Sequence, residues 1–137
     1  MTGFKLRPLH YAISVQDLDA SLAWYEEMFG FTEISRTYVD PAKAVCVTAG
    51  SDVFQIEIFR QDETIPMEDW RKDPDANVQH QGSQHICFEV DDLEGFIAEL
   101  RAKGATILFG PVFMGDISLY YIADNNGIPI ELMQAPK

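Results

Sequence analysis

His85-Ile86-Cys87-Phe88-Glu89-Val90-Asp91-Asp92-Leu93 reads as a strand that runs into a helix. Side chains alternate across a strand. Ile86, Phe88 and Val90 therefore form an apolar face, and His85, Cys87 and Glu89 a polar one. The histidine is expected on the side away from the packed helix. The pattern occurs once before, in His10-Tyr11-Ala12-Ile13-Ser14-Val15-Gln16-Asp17-Leu18. Here Tyr11, Ile13 and Val15 take one face, and His10, Ala12 and Ser14 the other. Counting from each histidine, Val, Asp, Leu and Ala recur at the same offsets (Val15, Asp17, Leu18, Ala23; Val90, Asp92, Leu93, Ala98). A helix closed by glycine, Gly30 or Gly104, follows each. Self-similarity at fixed spacing points to a duplicated unit.

Working outward, Phe4 to Val15 holds the first strand, and Asp17 or Asp19 caps the next helix. Leu18, Leu22, Tyr25 and Phe29 are spaced as its apolar stripe. Strands are expected at 31–38, at 43–48 with a stop at Ala49-Gly50, and at 53–60. The first half is βαβββ. Residues 61–84 carry Pro66, Pro74, many acids and few periodic apolar residues. They read as a long connector, with Met67, Trp70 and Ile65 as its anchors on the surface or at a partner chain. The second half has a strand at 85–90, a helix with Leu93, Phe96, Ile97 and Leu100 as its stripe, and a strand at 105–109 ended by Gly110-Pro111. A strand at 116–123, the hairpin signal Asp124-Asn125-Asn126-Gly127 and a strand at 128–134 complete a second βαβββ. The fold class is α+β.

Bulk properties set outer bounds. The chain has 137 residues, 47% hydrophobic and 23% charged, as in one soluble globular domain with a core. A net charge of −12 argues against nucleic acid and against an anionic membrane surface. No apolar run is long enough for a membrane helix, and the N-terminus lacks a secretory pattern. The expected location is the cytoplasm, with Cys46 and Cys87 reduced.

The last strand of each half carries one acid among apolar residues. In Phe54-Gln55-Ile56-Glu57-Ile58-Phe59, Glu57 points away from Ile56 and Ile58; in Ile128-Pro129-Ile130-Glu131-Leu132-Met133, Glu131 points away from Ile130 and Leu132. Each half thus offers one His and one Glu on the polar face of its sheet: His10 with Glu57, and His85 with Glu131. Two imidazoles and two carboxylates suit one divalent ion of Zn, Ni, Co, Mn or Fe. Such an ion polarises a carbonyl, and a ligand carboxylate beside it is a general base. A lone His or Glu on a strand face is ordinarily solvated. The coincidence at four repeat-related positions carries the reading.

With HYAISVQDLDASLAWY, FQIEIF, HICFEVDDLEGFIAEL and NNGIPIELM, the chain resembles the vicinal oxygen chelate superfamily. That superfamily includes glyoxalase I, methylmalonyl-CoA epimerase, extradiol dioxygenases and the fosfomycin and bleomycin resistance proteins. The resemblance implies a single domain over 1–137, with module one at 4–60, connector 61–84 and module two at 85–134. It implies two tandem modules forming a cup-shaped mixed sheet with helices on the outer face. It places the metal ligands on His10, Glu57, His85 and Glu131, with Glu57 and Glu131 as candidate catalytic bases. The implied partners are a small-molecule substrate and a second copy of the chain in a homodimer.

Glu57 beside Glu131 resembles glyoxalase I, which uses two ligands from each module. The implied activity is a metal-dependent lyase or isomerase that moves a proton next to a metal-bound carbonyl. An Fe(II) extradiol-type dioxygenase and a non-catalytic binding or resistance protein are the alternatives. Ser14 stands where bacterial glyoxalase I enzymes tend to carry Arg for the glutathione carboxylate, so another thiol adduct or substrate is implied. Glu57 stands where methylmalonyl-CoA epimerases usually have Gln. Cys87 is expected as a small buried residue and His80 as a solvated one. Either Tyr120 or Tyr121 faces the cup, Phe113 and Met114 are a wall or a loop, and Arg36, Arg60 and Lys43 are local cations for an anionic substrate.

Overall fold

In a computed structural model, residues 5–136 are described; the expected start of module one at Phe4 lies outside them. The chain divides into two compact units between Thr64 and Ile65.

In the first unit, β1 (His10–Ser14), α1 (Leu18–Phe29), β2 (Thr32–Val39), β3 (Ala44–Gly50) and β4 (Gln55–Gln61) follow in sequence. The sheet order is β1-β4-β3-β2. β1 runs parallel to β4, and the other pairs are antiparallel. Asp17 caps α1 by accepting a hydrogen bond from Ala20 N at 2.9 Å. At the other end Gly30 takes φ +70°, Gly30 N donates to Glu26 O and Phe31 N donates to Tyr25 O. This double closure needs a left-handed residue, which glycine adopts without a Cβ penalty. The buried side of α1 is Leu18, Ser21, Tyr25 and Met28. Leu22 and Phe29 are only half-buried, so the expected stripe is rotated. The small Ser21, fully buried, fits the close-packed line that Leu22 was expected to hold. Ile13, Ile56, Ile58 and Val47 complete the core of this unit.

The second unit opens with two short helices, α2 (Asp69–Lys72) and α3 (Pro74–Asn77), inside the stretch read as a long connector. Asp73 caps α3 through Asp75 N and Ala76 N, with Pro74 at the first turn. Proline there has no amide hydrogen to lose. Buried Asn77 donates to Gln84 O, and the Trp70 and His80 rings stack at 3.7 Å. His80 is thus packed on Trp70, not merely solvated. Ile65 is 94% exposed and anchors nothing in this chain.

Then come β5 (Ile86–Glu89), α4 (Leu93–Ala102), β6 (Thr106–Met114), β7 (Ile117–Ala123) and β8 (Pro129–Gln134), with sheet order β5-β8-β7-β6. β5 is parallel to β8, and the rest is antiparallel. Asp92 caps α4 through Gly95 N, and Leu93, Ile97 and Leu100 are fully buried. Each half is βαβββ around a four-stranded mixed sheet. Two strands outrun their expected ends. β3 continues through Ala49 and Gly50, which pair with Ile56 and Gln55. β6 continues past Gly110-Pro111 by means of register shifts around Phe109. Gly110 has φ +131°, and a Cβ there would run into the Tyr120 ring.

Candidate metal centre

Each histidine reaches the glutamate of its own half. His10 Nε2 lies 3.3 Å from Glu57 Oε2, and His85 Nε2 lies 2.7 Å from Glu131 Oε2. The ladders explain why. Ala12 is the residue directly across from Glu57, and Cys87 the one directly across from Glu131. Each histidine therefore stands two residues before its glutamate's partner, on the same face of a parallel pair. The neighbouring Ile56, Ile58, Ile130 and Leu132 are fully buried on the opposite face. His10 and Glu57 are brought together, and so are His85 and Glu131. Among the described residues, no group of three or more His, Cys, Asp or Glu side chains is assembled.

The donor chemistry can be tested against an ion. Two ligands about 2.1 Å from a metal and at right angles to each other are about 3.0 Å apart. The pairs at 3.3 and 2.7 Å fall on either side of that spacing. Both pairs present Nε2 and a carboxylate oxygen, which suit a borderline divalent ion.

The halves differ in what surrounds the pair. Across from Glu57 stand Ala12 and Thr48. Across from Glu131 stand Cys87 and Tyr121. The Tyr121 hydroxyl donates to Glu131 Oε2 at 3.3 Å and lies 3.2 Å from His85 Nε2. The Glu131 side chain is 13% exposed and that of Glu57 27%. Burial first, and the Glu131 carboxylate second, push the Tyr121 phenol up to about 12. The same two causes push the Cys87 thiol up to about 11. Cys87 as a residue is exposed, against the expectation of a buried one, because it faces away from the core on a short edge strand, while its thiol group is partly buried. In the first half, burial and then Glu57 raise the thiol of buried Cys46.

Tyr121 is the tyrosine that meets the candidate site, while Tyr120 faces α4 and donates to Glu94 at 3.1 Å. The signal was available. Counting outward from the Asp124–Gly127 turn places Tyr121 opposite Glu131 and Tyr120 opposite Leu132. Phe109, paired with Tyr121 at 4.7 Å between ring centroids, was not foreseen. The shifts on either side of it defeat such counting. Phe113 and Met114, expected as a wall or loop, end β6 and are exposed. Arg36 is tied to Glu33 and Asp19, and Arg60 lies 3.7 Å from Asp62.

Similarities to known proteins bear on this arrangement. The family model described as the Glyoxalase/Bleomycin resistance protein/Dioxygenase superfamily matches residues 7–132. The virulence protein STM3117 of Salmonella typhimurium is 27% identical over 130 residues, covering 91% of this chain and 81% of that protein. The 4-hydroxyphenylpyruvate dioxygenase of Caenorhabditis elegans is 30% identical over 106 residues, covering 72% of this chain; the match spans only 25% of that enzyme's length. The trypanothione-dependent glyoxalase I of Leishmania major has the same fold, with a TM-score of 0.71 at 23% identity, over 95% of this chain and 87% of that one.

Proposed function

Because the chain belongs to the glyoxalase/bleomycin resistance protein/dioxygenase superfamily, we propose that it is a divalent-metal-dependent, glyoxalase-like lyase or isomerase. Its reaction is proton transfer at the carbon next to a carbonyl of a small substrate. The observation that carries this reading is the His–Glu pair, repeated in both halves at the same ladder offset. His10, Glu57, His85 and Glu131 are the proposed ligands.

A bound ion supplies Lewis acidity, which draws electron density from a substrate carbonyl and acidifies the neighbouring C–H. The chain supplies the rest. His10 and His85 offer Nε2 as ligand atoms. Tyr121 donates to Glu131 Oε2 and holds that carboxylate in place. Glu57, more exposed and at a longer distance from its histidine, is the carboxylate freer to take the proton at an Oε atom. A homodimer belongs to the same reading.

Elemental analysis of chelator-free, untagged protein is the test, beside a His85→Ala variant. The expected result is about one divalent ion per chain in the parent and loss in the variant. Nickel, cobalt or zinc directs assays to isomerase substrates. Iron with oxygen-dependent turnover would favour the dioxygenase reading, which the similarity to the nematode enzyme supports. No ion in the parent, even after adding Ni, Co, Zn, Mn or anaerobic Fe(II), overturns the proposal in favour of a metal-free binding protein. A Glu57→Gln variant that keeps the ion but no longer exchanges a substrate C–H with solvent deuterium identifies the base. Retained exchange moves that role to Glu131.

A further inference from the structure

The two parallel ladders start differently. His10 lies within β1 and pairs with Gln55. In the second half the pairing begins only at Ile86 with Ile130, so His85 stands one residue outside it. Yet His85 reaches its glutamate at 2.7 Å and His10 at 3.3 Å. The phase of the ladders explains the late start. Val15 N donates to Phe59 O and Val90 N donates to Met133 O, each at 2.8 Å, so both ladders run in the same phase. Hydrogen bonds along a parallel pair recur at every second residue of each strand. The amide of Gln55 is thereby aimed at Leu9 O, the carbonyl before His10. Its counterpart two residues before Glu131 is Pro129, aimed at Gln84 O, the carbonyl before His85. Proline has no amide hydrogen to give.

The missing donor is replaced from α3. Asn77, 5% exposed, donates from Nδ2 to Gln84 O at 3.1 Å. An amide is costly to bury without partners, and Asn77 spends this one on the peptide group that joins Gln84 to His85. Asn77 is itself braced. Its N donates to Asp73 O, and its O accepts from His80 N, each at 2.9 Å. Gln84 is held by its side chain as well: Nε2 donates to His80 O at 3.1 Å, even though Oε1 is buried without a hydrogen-bond partner. The His80 ring in turn stacks on Trp70 of α2.

We propose that Asn77 is a positioning residue for the metal centre: its side-chain amide stands in for the backbone hydrogen that Pro129 lacks, and so fixes the peptide from which His85 presents Nε2. This rests on the metal reading above. A ligand held in advance costs less to order when the ion arrives. Groups that orient a metal ligand without touching the ion typically change affinity by about 10–100-fold. His10 needs no such helper, because Gln55 has an amide hydrogen of its own. The two short helices of the second unit therefore have a task at the site, and it concerns one histidine of the two.

The test uses the full-length chain and Ni(II), titrated in competition with a chromophoric chelator. Asn77→Leu keeps the bulk and removes the donor, and its affinity for nickel is expected to fall at least tenfold. Adding Pro129→Ala to that variant supplies a ladder amide for Gln84 O and should bring the affinity back to within threefold of the parent. In imidazole nitrogen NMR spectra of the metal-free Asn77→Leu protein, the His85 ring signals should move while those of His10 stay. An affinity within threefold of the parent in Asn77→Leu overturns the proposal. So does a fall that Pro129→Ala fails to recover, or an equal movement of both histidines, since either marks a general loosening. If Asn77→Leu does not fold, side-chain amide exchange in the parent decides. The Asn77 amide protons are expected to exchange at least tenfold more slowly than those of exposed Gln79, and equal rates overturn the proposal. If the parent binds nickel and the variants bind it as tightly, this inference fails and the metal reading stands. If the parent takes up no metal, both fail.

Discussion

Glu131 and Glu57 occupy equivalent positions in two halves of one chain, yet their neighbours set them apart. Tyr121 and Cys87 crowd Glu131, where Thr48 and Ala12 flank Glu57. The cost appears at alkaline pH. Burial and Glu131 raise the Tyr121 phenol from 10 to about 12 and the Cys87 thiol from 9 to about 11. Both groups give up protons more readily in the unfolded chain. Their contribution to stability is therefore complete below pH 9 and is lost as pH rises through about 11 and 12. The urea midpoint of the metal-free protein is expected to fall across that interval. In a Tyr121→Phe, Cys87→Ala double variant the fall should be visibly flatter. An identical slope in the variant would show that other groups govern alkaline unfolding.

At the level of elements, most of the fold was legible because local signals agreed with one another. The Asp17 cap, the Gly30 closure and the hairpin turn at Asp124–Gly127 all stand where residue chemistry puts them. The His–Glu pairs followed from alternation alone. What escaped has physical causes. α2 and α3 have four residues each, too short for periodicity, and only Asp73-Pro74 marks them. Gly50 and Gly110 look like stops, yet both are paired or bridged within strands. Phe109 came to the candidate site through irregular pairing that no strand pattern encodes. Gly110 is a test of that irregularity. A Gly110→Ala change forces a Cβ onto the Tyr120 ring at a φ of +131°. The expected cost is about 2 kcal/mol, seen as a drop in melting temperature on the order of 8 °C. A drop under 2 °C would mean that the β6 bend relaxes freely.

Taken whole, the molecule is acidic, and among the described residues no helix is long and apolar enough to cross a membrane. If the four proposed ligands hold one ion, binding must stabilise the native chain, because an unfolded chain has no preformed site. At a free ion concentration a hundred times the dissociation constant the gain is about 2.7 kcal/mol, or roughly 10 °C in melting temperature. The shift should vanish in a His10→Ala, His85→Ala variant; a full shift there would place the ion elsewhere. The shared ladder offset limits how such a chain can change over generations. Side chains alternate with a period of two, so the chemistry depends on parity. Exchanging residues on these strands can retune the neighbours of Glu57 and Glu131 by degrees, as Ala12 against Cys87 and Thr48 against Tyr121 already illustrate. Adding or removing one residue inside β4 or β8 ahead of the glutamate turns the carboxylate into the apolar core and the isoleucines into the open. Length changes are thus confined to even steps within strands or to the loops between them, while composition remains free to drift.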